Sequence, residues 1–340
     1  MTALRWGILG PGGIANAFTS DLHTARMTIG AVGSRALDRA EAFALKHNID
    51  RAHGSYLALA EDPDIDIVYV ATPHPQHLEP ALLMLEHGKH VLVEKAFTAT
   101  AAEAQLIADA AAHHGLLALE AMWTRYLPHM TRIRDIIAAG TLGEVTALTA
   151  DHTQRLSSDP THRINNPELG GGALLDLGVD PVECAWDLFG APATTTAVGT
   201  LGATGTDTQV QATFTYAGGA VASTFSSAIA RGTNTATVIG TEASIHIDPV
   251  WYAATSFRVV STGGTVLEEY EPQIDGRGMQ FEALAAEQLI ARGDLTGGLL
   301  PIAESVAIMK TQDEIRSQIG VVYPADTTAA ANLAVPTNEK

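Results

Sequence analysis

The stretch Leu4-Arg5-Trp6-Gly7-Ile8-Leu9-Gly10-Pro11-Gly12-Gly13-Ile14-Ala15 decides how the chain is read. Leu4–Leu9 is a short, mostly apolar run of strand type, and Gly10–Ala15 fits G-x-G-x-x-A. In that pattern Gly10 makes the tight turn, Gly12 lets the backbone approach a pyrophosphate, and Ala15 lets a helix lie close on the strand. The amides of Gly13 and Ile14, at the helix start, then face the phosphates, with the helix dipole behind them. Alone the pattern is weak. Here a strand precedes it, a helix follows it, and strands and helices keep alternating downstream. The competing reading is a tight turn with no ligand.

Working outward, Met27–Val32 is a second strand and Ala36–His47 a helix with Ala36, Ala40, Phe43 and Ala44 on its apolar positions. Ile65–Val70 is a third apolar run that ends in Ala71-Thr72-Pro73. A helix over Pro80–Glu86 stops at His87-Gly88, and His90–Val93 is a strand. Ala101–His114 is an alanine-rich helix closed by Gly115, and Leu116–Leu119 a further strand. Such alternation makes βαβ units and a parallel sheet. The pattern changes near residue 124. A helix is expected over Leu127–Ala139, a strand over Glu144–His152, and a long apolar helix over Ala173–Phe189. From Thr194 to Tyr270, strand-like runs are split by glycines, and Thr208–Tyr216 and Ala220–Ser227 alternate cleanly, an antiparallel signature. Helices over Gln280–Arg292 and Ile302–Ile319 close the fold. The expected division is an α/β dinucleotide-binding domain over 1–124, an α+β domain over 125–326 and a loose tail over 327–340.

A chain of 340 residues has room for about two domains. Its 46% hydrophobic and 17% charged residues are an ordinary globular composition. A net charge of −18 repels phosphate backbones, so nucleic acid is not an expected partner. With one cysteine, Cys184, there is neither an intrachain disulfide nor a cysteine-rich metal site. No basic leader and no apolar run of membrane-span length is visible, so the expectation is a cytoplasmic protein with no membrane partner. No Tyr-x-x-x-Lys and no His-Glu-x-x-His occurs, and His74 and His77 lack an accompanying carboxylate cluster, so no metal is expected.

The end of the second strand bears on which cofactor binds. An acidic residue there bonds the ribose 2′-hydroxyl of NAD. This chain has Gly33-Ser34-Arg35 instead. A hydroxyl and a guanidinium suit a 2′-phosphate, which predicts NADP over NAD, with Arg39 as a second candidate contact.

Five segments together resemble one family. They are Gly10–Ala15, Thr72-Pro73-His74-Pro75-Gln76-His77, Glu94-Lys95-Ala96, Glu120-Ala121-Met122-Trp123-Thr124-Arg125, and Gly170-Gly171-Gly172-Ala173-Leu174-Leu175-Asp176-Leu177-Gly178. In order and spacing they resemble the glucose–fructose oxidoreductase / inositol dehydrogenase (Gfo/Idh/MocA) family, and within it the branch of dimeric dihydrodiol dehydrogenases and NADP-dependent D-xylose dehydrogenases. The resemblance implies an N-terminal Rossmann domain and a C-terminal α+β domain with a large, open, mostly antiparallel sheet. It also implies a homodimer or higher homo-oligomer through that sheet. The reaction implied is hydride exchange between the nicotinamide and a carbinol or hemiacetal carbon of a sugar, polyol or cyclic diol.

Residue by residue, the resemblance makes Lys95 the group that takes or gives the hydroxyl proton, with Glu94 positioning it or touching the cofactor. Thr72, Pro73, His74 and His77 line the cofactor. Ala121, Trp123 and Arg125 fall on the same sheet edge as cofactor contacts, with Trp123 and Arg125 touching the nicotinamide or the substrate rim. Asp176 contacts substrate, and Arg163 reaches the pocket from the preceding loop. On the expected helix Ala173–Phe189, Asp176 and Asp180 are four apart and share one face.

Two residues depart from the family pattern. Ala96 stands where proline is usual, a mild change. Asp180 stands where the family has histidine or tyrosine, often the second catalytic group. A carboxylate beside Lys95 raises the ammonium pKa and opposes its role as a base. Either Asp180 is itself the base, or the substrate differs, or dehydrogenase activity is lost. The resemblance also admits redox-neutral, nicotinamide-assisted elimination or glycoside cleavage, and non-catalytic NADP sensing.

Overall fold

The computed structural model describes residues 4–323 and 326. Its first part runs β1 (Arg5–Leu9), α1 (Gly13–Thr24), β2 (Thr28–Gly33), α2 (Leu37–His47), β3 (Arg51–His53), α3 (Tyr56–Ala60), β4 (Ile67–Val70), α4 (Leu78–Glu86), β5 (His90–Glu94), α5 (Ala101–His114) and β6 (Ala118–Ala121). The six strands form a parallel sheet in the order β3-β2-β1-β4-β5-β6. Ile8, Leu9, Ile67–Val70 and Val91–Val93 are fully buried, as strands covered on both faces must be. Every strand and helix expected here is present within a few residues. Two short elements were not anticipated: β3, which has no apolar run, and α3, whose five residues Tyr56–Ala60 are too few to show a helical period.

The strand order reverses between β1 and β4, and such a switch point opens a crevice at the strand C-termini. The turn after β1 and the Ala71-Thr72-Pro73 turn after β4 flank it. Gly10 shows why the turn needs glycine: its φ is +86°, and a Cβ there would lie 2.9 Å from the Ala71 carbonyl oxygen.

The second part runs α6 (Trp123–Tyr126), α7 (Pro128–Ala138), β7 (Val145–Thr153), α8 (Val179–Phe189), β8 (Thr194–Leu201), β9 (Asp207–Thr215), β10 (Val221–Ser227), β11 (Ala236–Gly240), β12 (Ala243–Ile247), β13 (Phe257–Ser261), β14 (Val266–Tyr270), α9 (Gln280–Arg292) and α10 (Ile302–Ile319). Its eight strands order as β14-β13-β12-β11-β7-β10-β9-β8, antiparallel except for the β7–β10 pair. On one face Leu148, Ala222 and Val238, neighbours on β7, β10 and β11, bury into a core shared with α7, α8 and α10. On the other face Ala147, Val221 and Ile239 line up and stay partly or fully exposed.

The last two helices return to the first core. Ala283, Ala286, Ile308 and Met309 bury against the parallel sheet and its helices. The chain therefore crosses between the two layers twice, after β6 and again before α9. The tail expected over 327–340 lies outside the described residues. Among the described residues no helix is long and apolar enough to cross a membrane.

One expected element differs in kind. The continuous helix over Ala173–Phe189 begins instead with a π-type turn, Leu174–Gly178, ahead of α8. The Asp207 carboxylate fixes its start by accepting the Leu174 amide at 2.6 Å. Pro181, five residues beyond Asp176, has no N–H to continue the i→i−5 register, so the Asp176 carbonyl is open to a side-chain donor.

Candidate active site

A cleft of about 790 Å³ runs along the switch point and reaches the ends of β7 and α8. Gly10, Pro11, Gly12, Gly13 and Ile14 form one wall. No side chain caps α1 and its first turn holds no acid, so its leading amides are left for a ligand. Ala15 is fully buried and packs helix on strand instead of lining the cleft. Ser34, Arg35, Ala36, Arg39 and Tyr56 close the far end, and no carboxylate lines that end. This donor set of bare helix amides and two exposed arginines fits a dinucleotide bearing several phosphates.

Thr72, Pro73, His74 and Gln76 line the middle. The Thr72 hydroxyl donates to the Gln76 carbonyl at 2.7 Å, which shapes the loop. Burial, with His77 beside it, holds the His74 imidazole down to a pKa of about 4, so it is neutral at pH 7. His77 does not line the cleft. Its ring lies between the carbonyls of Thr72 and Phe97, at 2.7 and 3.1 Å, and ties the loop after β4 to the loop after β5.

At the near end, Lys95 leaves the tip of β5. Its Nζ donates to Asp180 Oδ2 and to the Asp176 carbonyl, each at 2.9 Å. Burial pulls the Lys95 ammonium down, but Asp180 and Asp176 outweigh it and hold its pKa above the ordinary lysine value. Asp180 is likewise buried, yet Lys95 and His152 hold its carboxyl below the usual carboxylate range. His152 Nδ1 donates to the same Oδ2 at 2.8 Å. The Gln154 amide donates to the other ring nitrogen at 3.0 Å, and Tyr252 stacks on the imidazole with centroids 3.6 Å apart. The Lys95 pKa thus lies above the ordinary value, the direction that a carboxylate at position 180 gives it.

Arg163 forks onto Asp176 at 2.9 and 3.2 Å, and both side chains line the cleft. Glu94 accepts the Tyr69 hydroxyl and the Lys95 amide, and burial pushes its pKa up to about 7. Trp123 lines the cleft.

Arg125 and Ala121 do not. Ala121 is fully buried at the end of β6. Arg125 is 2% exposed and is held by Glu183, Asp187 and Glu304 in an ion network at the back of α8. Two positions along a helical turn is about 200° of rotation, so Trp123 facing the cleft sends Arg125 the opposite way. The Arg125 guanidinium joins α6, α8 and α10 and has no access to a cofactor.

Sequence reasoning missed His152, Gln154, Tyr252 and Arg277, which line the cleft from the second part of the chain. His152 ends a strand that was anticipated, but its facing follows from the pairing of β7 with β10 and β11. Tyr252 and Arg277 sit in loops without a motif.

The chain matches two family models: "Oxidoreductase family, NAD-binding Rossmann fold" over residues 4–121 and "GFO/IDH/MocA C-terminal domain" over residues 130–246. It belongs to the GFO/IDH/MocA oxidoreductases. Among curated relatives, the trans-1,2-dihydrobenzene-1,2-diol dehydrogenase of Mus musculus is 37% identical, covering 95% of this chain and 99% of the relative. The Homo sapiens enzyme of the same name is 34% identical over the same shares. Among solved structures, a 3-ketoreductase from Actinomadura kijaniata in complex with NADP and TDP-benzene superimposes with a TM-score of 0.82 at 25% identity, covering 94% of this chain and 98% of that one.

Proposed function

We propose that the chain is an NADP-dependent oxidoreductase acting on a carbinol or hemiacetal carbon of a sugar, polyol or cyclic diol. The observation that carries this reading is the placement of Lys95 Nζ, bonded to Asp180 and Asp176, at the inner end of a cleft whose outer end is built for a dinucleotide. A nicotinamide dinucleotide held by the Gly10–Ile14 wall and by Ser34, Arg35 and Arg39 would supply hydride exchange with the substrate carbon. The sum is R₂CHOH + NADP⁺ ⇌ R₂CO + NADPH + H⁺.

Lys95, held as an ammonium, donates a hydrogen bond and then its proton to the carbonyl oxygen in the reducing direction. Asp180 keeps the Lys95 amine aimed, and His152 behind it shares the same oxygen. In the oxidising direction the path runs in reverse: Lys95 first releases its proton to solvent, and the neutral amine then takes the proton of the substrate hydroxyl. Asp176, oriented by Arg163, accepts hydrogen bonds from neighbouring substrate hydroxyls. Arg35, Arg39 and Ser34 receive the 2′-phosphate, and the 34–37% identity to named diol dehydrogenases supports the substrate class. The retained Lys95, Asp176 and full glycine turn favour chemistry over sensing. Self-association through the open face of the second sheet, along Ala147, Val221 and Ile239, completes the reading.

The test is NADPH formation, by absorbance, from NADP⁺ and a panel of aldoses, inositols and cyclic diols, repeated with NAD⁺ and with Lys95→Ala. Turnover with NADP⁺ that Lys95→Ala lowers by about 10²- to 10⁴-fold, with cofactor binding kept, is expected. Turnover unaffected by Lys95→Ala would falsify the assignment.

A further inference from the structure

Five cationic side chains line the cleft: Arg35, Arg39, Lys95, Arg163 and Arg277. Lys95 is paired with Asp180, and Arg163 with Asp176. Arg35 and Arg39 stand at the end read above as the 2′-phosphate site. Arg277 is left over. Its guanidinium lies 5.6 Å from the centre of the Trp123 ring, at the inner end of the cleft. Among the described residues no carboxylate comes within salt-bridge distance of it.

The loop that carries Arg277 is anchored. The Asp21 carboxylate of α1 accepts the Arg277 amide at 3.0 Å and the Met279 amide at 2.9 Å. The Trp123 face supports the guanidinium plane and leaves its N–H edge free. Three carboxyl groups line the cleft: Asp176, Asp180 and Glu94. The first two have their own cations, and Glu94 is bonded to Tyr69 and the Lys95 amide behind the wall. Among the described residues Arg277 is therefore the cation of the inner end without a carboxylate partner, inside a protein of net charge −18. A chain so acidic repels anions at long range, and a local arginine is what an anionic ligand needs to bind here.

We propose that Arg277 receives an anionic group of the substrate, so that the preferred substrate is a polyhydroxy compound bearing a carboxylate or phosphate. The inference rests on reading the cleft as a CH–OH oxidoreductase site and narrows its substrate class. The guanidinium fork suits both anions bidentately. The anionic group takes no part in the redox step: the hydroxyl carbon is oxidised, the cofactor takes the hydride, and one proton is released.

The experiment uses full-length protein saturated with NADPH for binding and with NADP⁺ for turnover. D-Glucose, D-glucuronate and D-glucose 6-phosphate are compared by calorimetry and by initial rates, in wild type, Arg277→Ala and Arg277→Lys. At least one anion is expected to bind about tenfold or more tighter than glucose. That preference should collapse toward unity in Arg277→Ala, return in part in Arg277→Lys, and shrink with added salt. Which anion gains separates carboxylate from phosphate. Failure of both anions to bind tighter than glucose overturns the proposal, as does a preference that survives Arg277→Ala. Tighter anion binding without turnover keeps Arg277 as the anion contact and places the failure in the reading of the reaction. Turnover of neutral sugars with no anion preference does the reverse.

Discussion

His152 Nδ1 and Lys95 Nζ meet on one oxygen, Oδ2 of Asp180, at 2.8 and 2.9 Å. A carboxylate that is 1% exposed therefore joins a residue from the parallel sheet to one from the antiparallel sheet. The departure at Asp180 is thus a built feature of the cleft. It holds the amine that lines the cleft and keeps it charged, which suits a proton donor better than a free base.

Asp180→Asn keeps the shape and removes the charge. The Lys95 pKa then falls, and the pH profile of kcat/KM shifts to lower pH on its alkaline side. Breaking a well-buried pair typically costs about 3–5 kcal/mol, and Lys95 is partly exposed, so about 2–3 kcal/mol is expected here. The sign follows from the two shifts. The raised Lys95 pKa gives stability that is present below the ordinary lysine value and lost as pH rises through the folded one. The lowered Asp180 pKa gives stability that is present above the ordinary carboxylate value and lost as pH falls through the folded one. Urea unfolding of wild type minus Asp180→Asn should therefore be flat between about pH 5 and 9. A steep slope in that window would contradict the pairing.

Arg35→Ala should weaken NADP⁺ binding by about 10- to 100-fold, the effect of losing a charge-assisted contact, and leave NAD⁺ nearly unchanged. Fluorescence titration of both cofactors reads it directly. Equal loss for NAD⁺ would assign Arg35 to the shared part of the dinucleotide.

Arg125→Met should leave the NADP⁺/NAD⁺ ratio untouched and lower stability by about 3–5 kcal/mol, because buried Glu183 loses the cation beside it and Asp187 keeps only Arg134. A denaturant midpoint equal to wild type would refute the ion network at the back of α8.

Glu120 is 1% exposed, and burial pushes its pKa up to about 7. Its Oε1 accepts the Phe97 amide at 3.1 Å, while Oε2 has no partner among the described residues. The folded state then binds more protons than the unfolded one between about pH 4.5 and 7, so this group makes stability fall as pH rises across that window. Glu120→Gln should remove up to about 3 kcal/mol of that fall, seen as a flatter midpoint-versus-pH plot. An unchanged slope would show that Glu120 is ionised in the fold.

Much of the cofactor half was legible because its signals are local. Gly10–Ala15, Ser34, Arg35, Arg39, Thr72, Pro73 and His74 lie at the ends of strands that an apolar run announces, and such strands share one edge by right-handed crossover. Arg125 was misplaced for an equally local reason. A family segment says which residues lie near an edge, but the short turn Trp123–Tyr126 decides which of them look outward. His152, Tyr252 and Arg277 had no such signal, since each reaches the cleft through strand order and loop packing in the second sheet.

Read alone, the chain determined a parallel α/β unit with a phosphate-binding turn, an antiparallel unit after it, and the candidate pair Lys95 and Asp176. Periodicity and glycine placement are properties of neighbouring residues, and neighbours are what a sequence displays. The tertiary structure alone decided that Asp180 holds Lys95 and His152 together, that Arg125 is buried away from the cleft, and that Arg277 faces it unpaired. These are relations between residues as far apart as 95 and 180, or 123 and 277. They exist only once β7 has its partners and α9 has packed back on α1, because charge and hydrogen-bond pairing depend on separation in space.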